Sequence, residues 1–422
     1  MNLMQIISVL VFLAVMVAII TEKVHRTVAA IGGAVLLVCL HVLTVDDAVG
    51  YIDFNTVGVL IGMMLFVAVV RNSGLFEYVA IKAAKIAKGN PWRIMLLFTI
   101  LTAVLSAFLD NVTTVLLIGP MAISIAGILG IDPVPFLLAQ ILASNIGGTA
   151  TLIGDPPNIM IGSQAGLSFM DFVTNTGVAV IFIMLALCVC FYFLFGRKLL
   201  VDPEKMAAVM ELDENKSIKD RALLIKSVVM IVLVVVGFVC HSSLGVDSCV
   251  IALASAAIMM LIGRQDTEEV VLGVEWSTIL FFVGLFVVVG GMVQTGIITI
   301  LGNALFEVTG GNAILLMLLI LWGSALFSSI LDNIPFVATM IPLILSMQAD
   351  GMEVAPLWWA LSLGACLGGN GTLIGASANV VLSGISAKHG HPITFIQYLK
   401  VGFPMMLLSV AISTVFLLVR FH

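Results

Sequence analysis

Apolar runs with little or no charge recur from end to end of this chain. Most are about 17–25 residues long, the length of an α-helix that crosses a bilayer. Spans are predicted near 3–20, 27–43, 56–70, 135–163, 172–195, 222–240, 248–263, 277–291, 355–385 and 401–419. Only 10% of the 422 residues are charged, 61% are hydrophobic and the mean hydropathy is +1.22, whereas a soluble domain carries about 25% charged residues. The fold class is therefore an all-α polytopic membrane protein. The first run lacks a basic leader and a small-residue cleavage site, so it is expected to span rather than to act as a signal peptide. Cys39, Cys188, Cys190, Cys240, Cys249 and Cys366 show no C-x₂-C spacing and read as small buried residues.

Two runs differ from the rest. Residues 94–126 and 313–347 are each long enough for two helices, yet each carries Asp-Asn at its centre, in LSAFLDNVTTVLLIGP and FSSILDNIPFVATMIP. Two half-depth helices meeting at a polar tip, a re-entrant hairpin, avoid placing that charge in lipid. Such a tip is stable only where it is buried in protein or lines a wet cavity.

Lys and Arg test this topology. With the N-terminus outside and each hairpin returning to its own side, both termini lie outside. Lys23, Arg26, Arg71, Lys82, Lys85, Lys88, Arg93, Arg197, Lys198, Lys205, Lys216, Lys219, Arg221, Lys226, Arg264, Lys388 and Lys400 then fall inside, and only Arg420 falls outside. The proposed outer loops carry Asp46, Asp47, Asp53, Asp171, Asp247, Asp350 and Glu353. Because the spans were drawn from hydropathy, agreement with the positive-inside rule is a largely independent check.

The chain also repeats itself. At an offset of 222, IDFNTVGVLIGMMLFVAVVRNSGLF (52–76) lies over VEWSTILFFVGLFVVVGGMVQTGII (274–298), with Gly62 over Gly284 and Gly74 over Gly296. Asp110-Asn111 falls on Asp332-Asn333 and Pro120 on Pro342. After one residue drops out, GGTATLIGDPPN (147–158) lies over GGNGTLIGASAN (368–379). The reading is a first repeat over 1–195, a polar cytoplasmic linker over 196–221 and a second repeat over 222–422. Each half has five spans and one hairpin. Five is odd, so the second half enters the membrane from the opposite face. Inverted repeats with helices interrupted in matching places are the signature of a secondary transporter. The helix through 135–163 is expected to break at 147–157 and the helix through 355–385 at 368–378, exposing half-helix ends and free backbone groups to something other than lipid. Both breaks and both tips are expected to converge on one site.

These residues carry a resemblance that covers nearly the whole chain. SNIGGTATLIGDPPN resembles the branch of the ion transporter superfamily that holds the P protein (pink-eyed dilution) and the arsenite-efflux permeases, related to the divalent-anion symporters. The resemblance implies a homodimer with a fixed scaffold and a moving transport domain of hairpins and broken helices, working as an elevator. It also implies a prokaryotic cytoplasmic (inner) membrane. Dicarboxylate-carrying members have Ser-Asn-Thr at each tip, whereas this chain reads Asp110-Asn111-Val112 and Asp332-Asn333-Ile334. Arsenite permeases have an Asn-Asp pair at the first tip and lack the DPPN ending.

A carboxylate in the membrane interior costs at least ~2.5–3.5 kcal/mol and is a functional candidate by default. Asp110 and Asp332 are candidates for holding a proton or a sodium ion; the alternative is that each only N-caps the returning helix. Asp155 before Pro156 has the same two readings. Asn111, Asn158, Asn333 and Asn379 offer amide donors and acceptors at matching places and are candidate substrate ligands. Asn370, Thr149, Thr151 and Thr372 support them, and Gly147, Gly148, Gly368 and Gly369 let the broken backbone approach. Lys82, Lys85, Lys88 and Arg93 follow a short helical run over 75–88 that suits the anionic inner leaflet. His389 and His391 read as solvent-exposed. The sequence shows no catalytic motif, nucleotide-binding loop or resident metal site, and an associated soluble ATPase is left open. The first reading is a secondary transporter of a small anion or neutral oxyacid, arsenite-like, coupled to protons or sodium. Sodium/proton antiport is the alternative, followed by an anion channel or a dicarboxylate symporter. With no basic residue expected in the pocket, a strongly charged polyanion is disfavoured.

Overall fold

The computed structural model describes residues 2–21 and 23–421, and among these every regular element is helical. Helices Leu3–Thr21, Val178–Leu194 and Arg221–Leu244 form an outer layer whose apolar side chains face outward, as with Leu10, Val17, Leu185 and Val232, all more than half exposed. No soluble protein leaves such continuous apolar faces in water, so these faces meet lipid. Among the described residues, seven helices are long and apolar enough to cross a membrane by themselves. Others that the sequence marks as spans are shorter: Arg26–Cys39 has 14 residues and Ser248–Gly263 has 16.

Two crossed pairs build the centre of this layer. Phe54–Arg71 packs on Ser248–Gly263, and Trp276–Gln294 packs on Arg26–Cys39. Small residues set both contacts. A Cβ on Gly62 would lie 2.5 Å from the carbonyl carbon of Ala252, and one on Gly284 would lie 2.6 Å from that of Ala30. Backbone therefore meets backbone, as small residues permit in membrane helices. Helix starts keep the same spacing: Leu75 and Ile297, Pro91 and Ala313, Asn111 and Asn333 each stand 222 apart. Gly74 and Gly296 open their helices at φ +79° and +75°, a conformation in which a side chain is strained. The helix Ile297–Thr309 has no forecast in the sequence reading. It turns by 117° into the leg that follows it, and its apolar stripe is too short to register as a span.

The hairpins are Pro91–Ser106 with Asn111–Leu129, and Ala313–Ser328 with Asn333–Ala349. Asn90 and Asn312 cap the outer ends by accepting from Arg93 N and Leu315 N. Half-depth legs are not what forms. Legs of 16–19 residues measure about 24–29 Å, because only four residues, 107–110 and 329–332, are spent on each tip and the rest of each run is helical. The broken helices are Val134–Gly148 with Pro156–Ala165, and Ala355–Gly368 with Ser377–Lys388. Each first half packs on the first leg of the preceding hairpin, whereas each second half packs on the second leg of the other hairpin. The 196–221 segment includes a short helix, Pro203–Met210, and is pinned to Leu75–Ile86. There the Lys85 ammonium lies 2.6 Å from Glu214 and holds its carboxyl below the usual range.

Candidate functional site

The chain between the half-helices is held by its own side chains. Ser106 Oγ donates to Ser144 O at 2.7 Å, and Ser328 Oγ to Ala365 O at 2.6 Å. Thr151 donates to Ala107 O, and Thr372 to Ser329 O at 2.5 Å. Asn158 Nδ2 donates to Thr151 O at 2.9 Å, and Asn379 Nδ2 to Thr372 O at 2.9 Å and Gly369 O at 2.7 Å. Thr149 bonds Asn145 O in its own helix. These groups satisfy backbone that a bilayer cannot. Gly147 and Gly368 lie against the hairpin backbone at Ala103 and Ala325. Gly148 and Gly369 face the returning chain at Gly154 and at Gly375 and Ala376.

In front of this frame lies a cavity of about 30 Å³, room for one or two water-sized species. Of the sequence candidates, Asp110, Asn111, Asp155, Asp332 and Asn333 line it. Asn158, Asn370, Asn379, Thr149, Thr151, Thr372 and the four glycines do not; they stand behind it and hold the breaks. Asn333 Nδ2 approaches both Asp155 oxygens, at 3.4 and 3.3 Å. Asp110 accepts from Thr113 N at 2.8 Å and Thr113 Oγ1 at 2.5 Å, so it does cap its helix.

The sequence reading misses four lining residues and two behind them. Arg26 donates to Asp332 at 3.0 Å and to Thr278 Oγ1 at 3.2 Å, and Thr278 donates to Glu275 at 3.0 Å. Ser377 Oγ donates to Asp332 at 3.2 Å. Arg26 corrects the expectation of a pocket without a basic residue. Hydropathy counts it as a loop charge, but it opens a helix of only about 21 Å that starts beside the second tip. Glu275 holds the position before its helix and lies over Asp53 at the 222 offset, but it stands outside the predicted span 277–291, so hydropathy leaves it out of the membrane. Asn145 is fully buried: it accepts from Asn111 at 3.1 Å and donates to Asn370 and Asn379, both at 2.9 Å. At the 221 offset of the TLIG segments its counterpart is Cys366, so a search for repeated asparagines passes it by. Ser362 donates to Asn158 Oδ1 at 2.6 Å.

The cavity thus gathers four carboxylates, Asp110, Asp155, Glu275 and Asp332, around one guanidinium. Among the described residues no three His, Cys, Asp or Glu side chains approach closely enough to share a metal ion. A second space of about 570 Å³ adjoins it, an apolar cleft between the first helix and the second hairpin, with Arg26, Asp332 and Ser377 common to both.

A sequence profile described as citrate transporter, CitMHS, matches residues 16–364, more than four-fifths of the chain. The chain belongs to the CitMHS citrate transporter family. An uncharacterized transporter of Mycobacterium bovis is 43% identical over 426 residues, 99% of both chains, and one of Mycobacterium tuberculosis matches equally. The P protein of Homo sapiens is 36% identical over 486 residues, 95% of this chain and 58% of that protein. The kinship read from SNIGGTATLIGDPPN is therefore shown. Among solved structures, the YdaH transporter of Alcanivorax borkumensis superposes with a TM-score of 0.66 at 13% identity, over 99% of this chain and 98% of that one. That likeness concerns the fold alone. As a member of the CitMHS and P protein family, the protein is a secondary transporter of the membrane.

Proposed function

We propose that this protein moves a small anion, an oxyanion or a carboxylate, coupled to protons or sodium ions taken up by Asp110, Asp155 and Asp332. One observation carries the reading: both hairpin tips and both breaks contribute to a single small cavity with four carboxylates and one arginine. Intramembrane acids at such a density serve ion movement rather than stability. The presence of Arg26 lifts the objection to a charged anion, and the family description as citrate transporter points the same way. A citrate-sized solute needs more than 30 Å³, so loading it requires the tips to part.

The reading includes an elevator. The crossed packing supports a two-fold relation between 1–195 and 222–422: helix pairs exchange partners between the halves, Gly62 with Ala252 and Gly284 with Ala30. In this reading the crossed helices form a scaffold, the hairpins and broken helices move together, and a homodimer fixes the scaffold. A second reading, sodium/proton antiport, draws on the excess of carboxylates over arginine. Flux into proteoliposomes of citrate, arsenite, chloride and sodium, under imposed pH and sodium gradients, separates the two. Citrate or arsenite accumulation driven by a gradient supports the anion carrier. Sodium flux driven by pH with no anion movement replaces it by the antiporter.

A further inference from the structure

Arg26 joins the crossed helices to the second tip, whereas Asn55 and Asp53 join them to the first broken helix through Ser163, at 3.1 and 2.8 Å. One side of its guanidinium is fixed: Nη2 donates to Thr278, and the group lies 5.1 Å over the Phe281 ring. Thr278 and Phe281 both belong to Trp276–Gln294, the helix packed on that of Arg26. Nη1 reaches the other way, to Asp332 at the second tip and to Ser377 at the second break, both at 3.0 Å. The first tip has no such partner. The residue 222 beyond Arg26 is Ser248, whose hydroxyl donates to Asn55, while Asp110 accepts from Thr113.

We infer that the Arg26–Asp332 pair is a one-sided latch that holds the second tip to the crossed helices until a sodium ion loads Asp332. The inference rests on the ion-coupled reading above. Pulling the tip away unloaded strands two charges in a low-dielectric setting, which is strongly unfavourable. Loading Asp332 removes that penalty at the carboxylate. Arg26 then keeps Thr278 and Phe281 and has Glu275, bonded to the same Thr278, as a standing counter-ion. An empty carrier is held; a loaded one is free. The groups that face Asp332 are Arg26, Glu275, Asp110 and Asp155 in the cavity and His25 in the adjoining cleft.

Amide hydrogen exchange of residues 327–336 in nanodiscs tests this without a substrate, with Ser248–Gly263 as internal reference. In the wild type at constant pH, adding sodium should speed tip exchange about tenfold, equivalent to about 1.4 kcal/mol on the opening of the tip. Arg26→Gln and Asp332→Asn should exchange fast with or without sodium, and the double variant should equal the singles. A wild-type tip that ignores sodium overturns the latch, as does additive exchange in the double variant or a sodium response that survives in Asp332→Asn. Should Arg26→Gln loosen the reference helix as well, the wild-type sodium titration decides alone. Absence of ion-coupled flux in the wild type would instead remove the carrier reading, whatever the exchange data show.

Discussion

Asp110 and Asp332 stand at matching tips yet keep different company. Asp110 accepts only from its own first turn, whereas Asp332 is drawn to Arg26 and Ser377. Asn ranks with Asp as an N-cap, so Asp110→Asn should leave folding intact, and any change in gradient dependence reports on ion coupling. Flux across imposed pH and sodium gradients checks both; accumulation with an unchanged gradient dependence would leave Asp110 as a cap alone. Asn145 carries a different expectation. Its amide supplies a donor to both Asn370 and Asn379 inside the frame. Asn145→Ala leaves two buried acceptors, on Asn370 and Asn379, and the buried Asn111 donor short of a partner, at about 1–3 kcal/mol each, and should lower the thermal unfolding midpoint. An unchanged midpoint would show that water fills the gap. The tips were legible because charge inside an apolar run is conspicuous. Arg26 and Glu275 were not, because both lie just outside the predicted spans, and Asn145 was not, because its counterpart in the other half is Cys366.

At the scale of elements, the breaks were legible and their tolerance was not. Glycine and proline crowding announces where a helix stops, but only the packing says which glycine has no room. A Cβ on Gly148 would lie 2.7 Å from Gly154 O, while one on Gly369 would meet Ala376 Cβ at 3.1 Å. The first approach is to rigid backbone and demands a shift, whereas the second is tight but is relieved by a few tenths of an ångström of movement at Ala376. Gly148→Ala should therefore cost about 1–3 kcal/mol in stability, with transport reduced, and Gly369→Ala should cost less. Paired thermal melts and uptake rates check the order; equal losses would mean that the two breaks relax alike. The hairpin legs were misjudged because hydropathy does not show how short a tip is: four residues separate the legs of each hairpin, which leaves 16–19 residues for each helix.

For the molecule as a whole, the succession of apolar runs outlines the fold, but the exchange of partners between halves exists only in three dimensions. The proposed opposite orientation of the halves makes a direct prediction. A cysteine in place of Asp171 should be labelled by an impermeant thiol reagent from outside, and one in place of Lys216 only from inside. Labelling of both from the same side would remove the inverted arrangement. The backbone-deep contacts at Gly62 and Gly284 have a consequence for assembly. Phe54–Arg71 and Trp276–Gln294 each lie against a helix from the opposite half of the chain, so neither half can complete its own interior. The linker holds to the first half by its short helix, where Val209 is fully buried, by a 2.6 Å ion pair between Lys85 and Glu214, and by a bond from Lys219 N to Ser73 O at 3.2 Å, so its grip does not depend on the chain before it. A gene cut within 199–202, ahead of that helix, should therefore yield two fragments, each unstable when made alone, that find each other in the membrane and restore one working carrier.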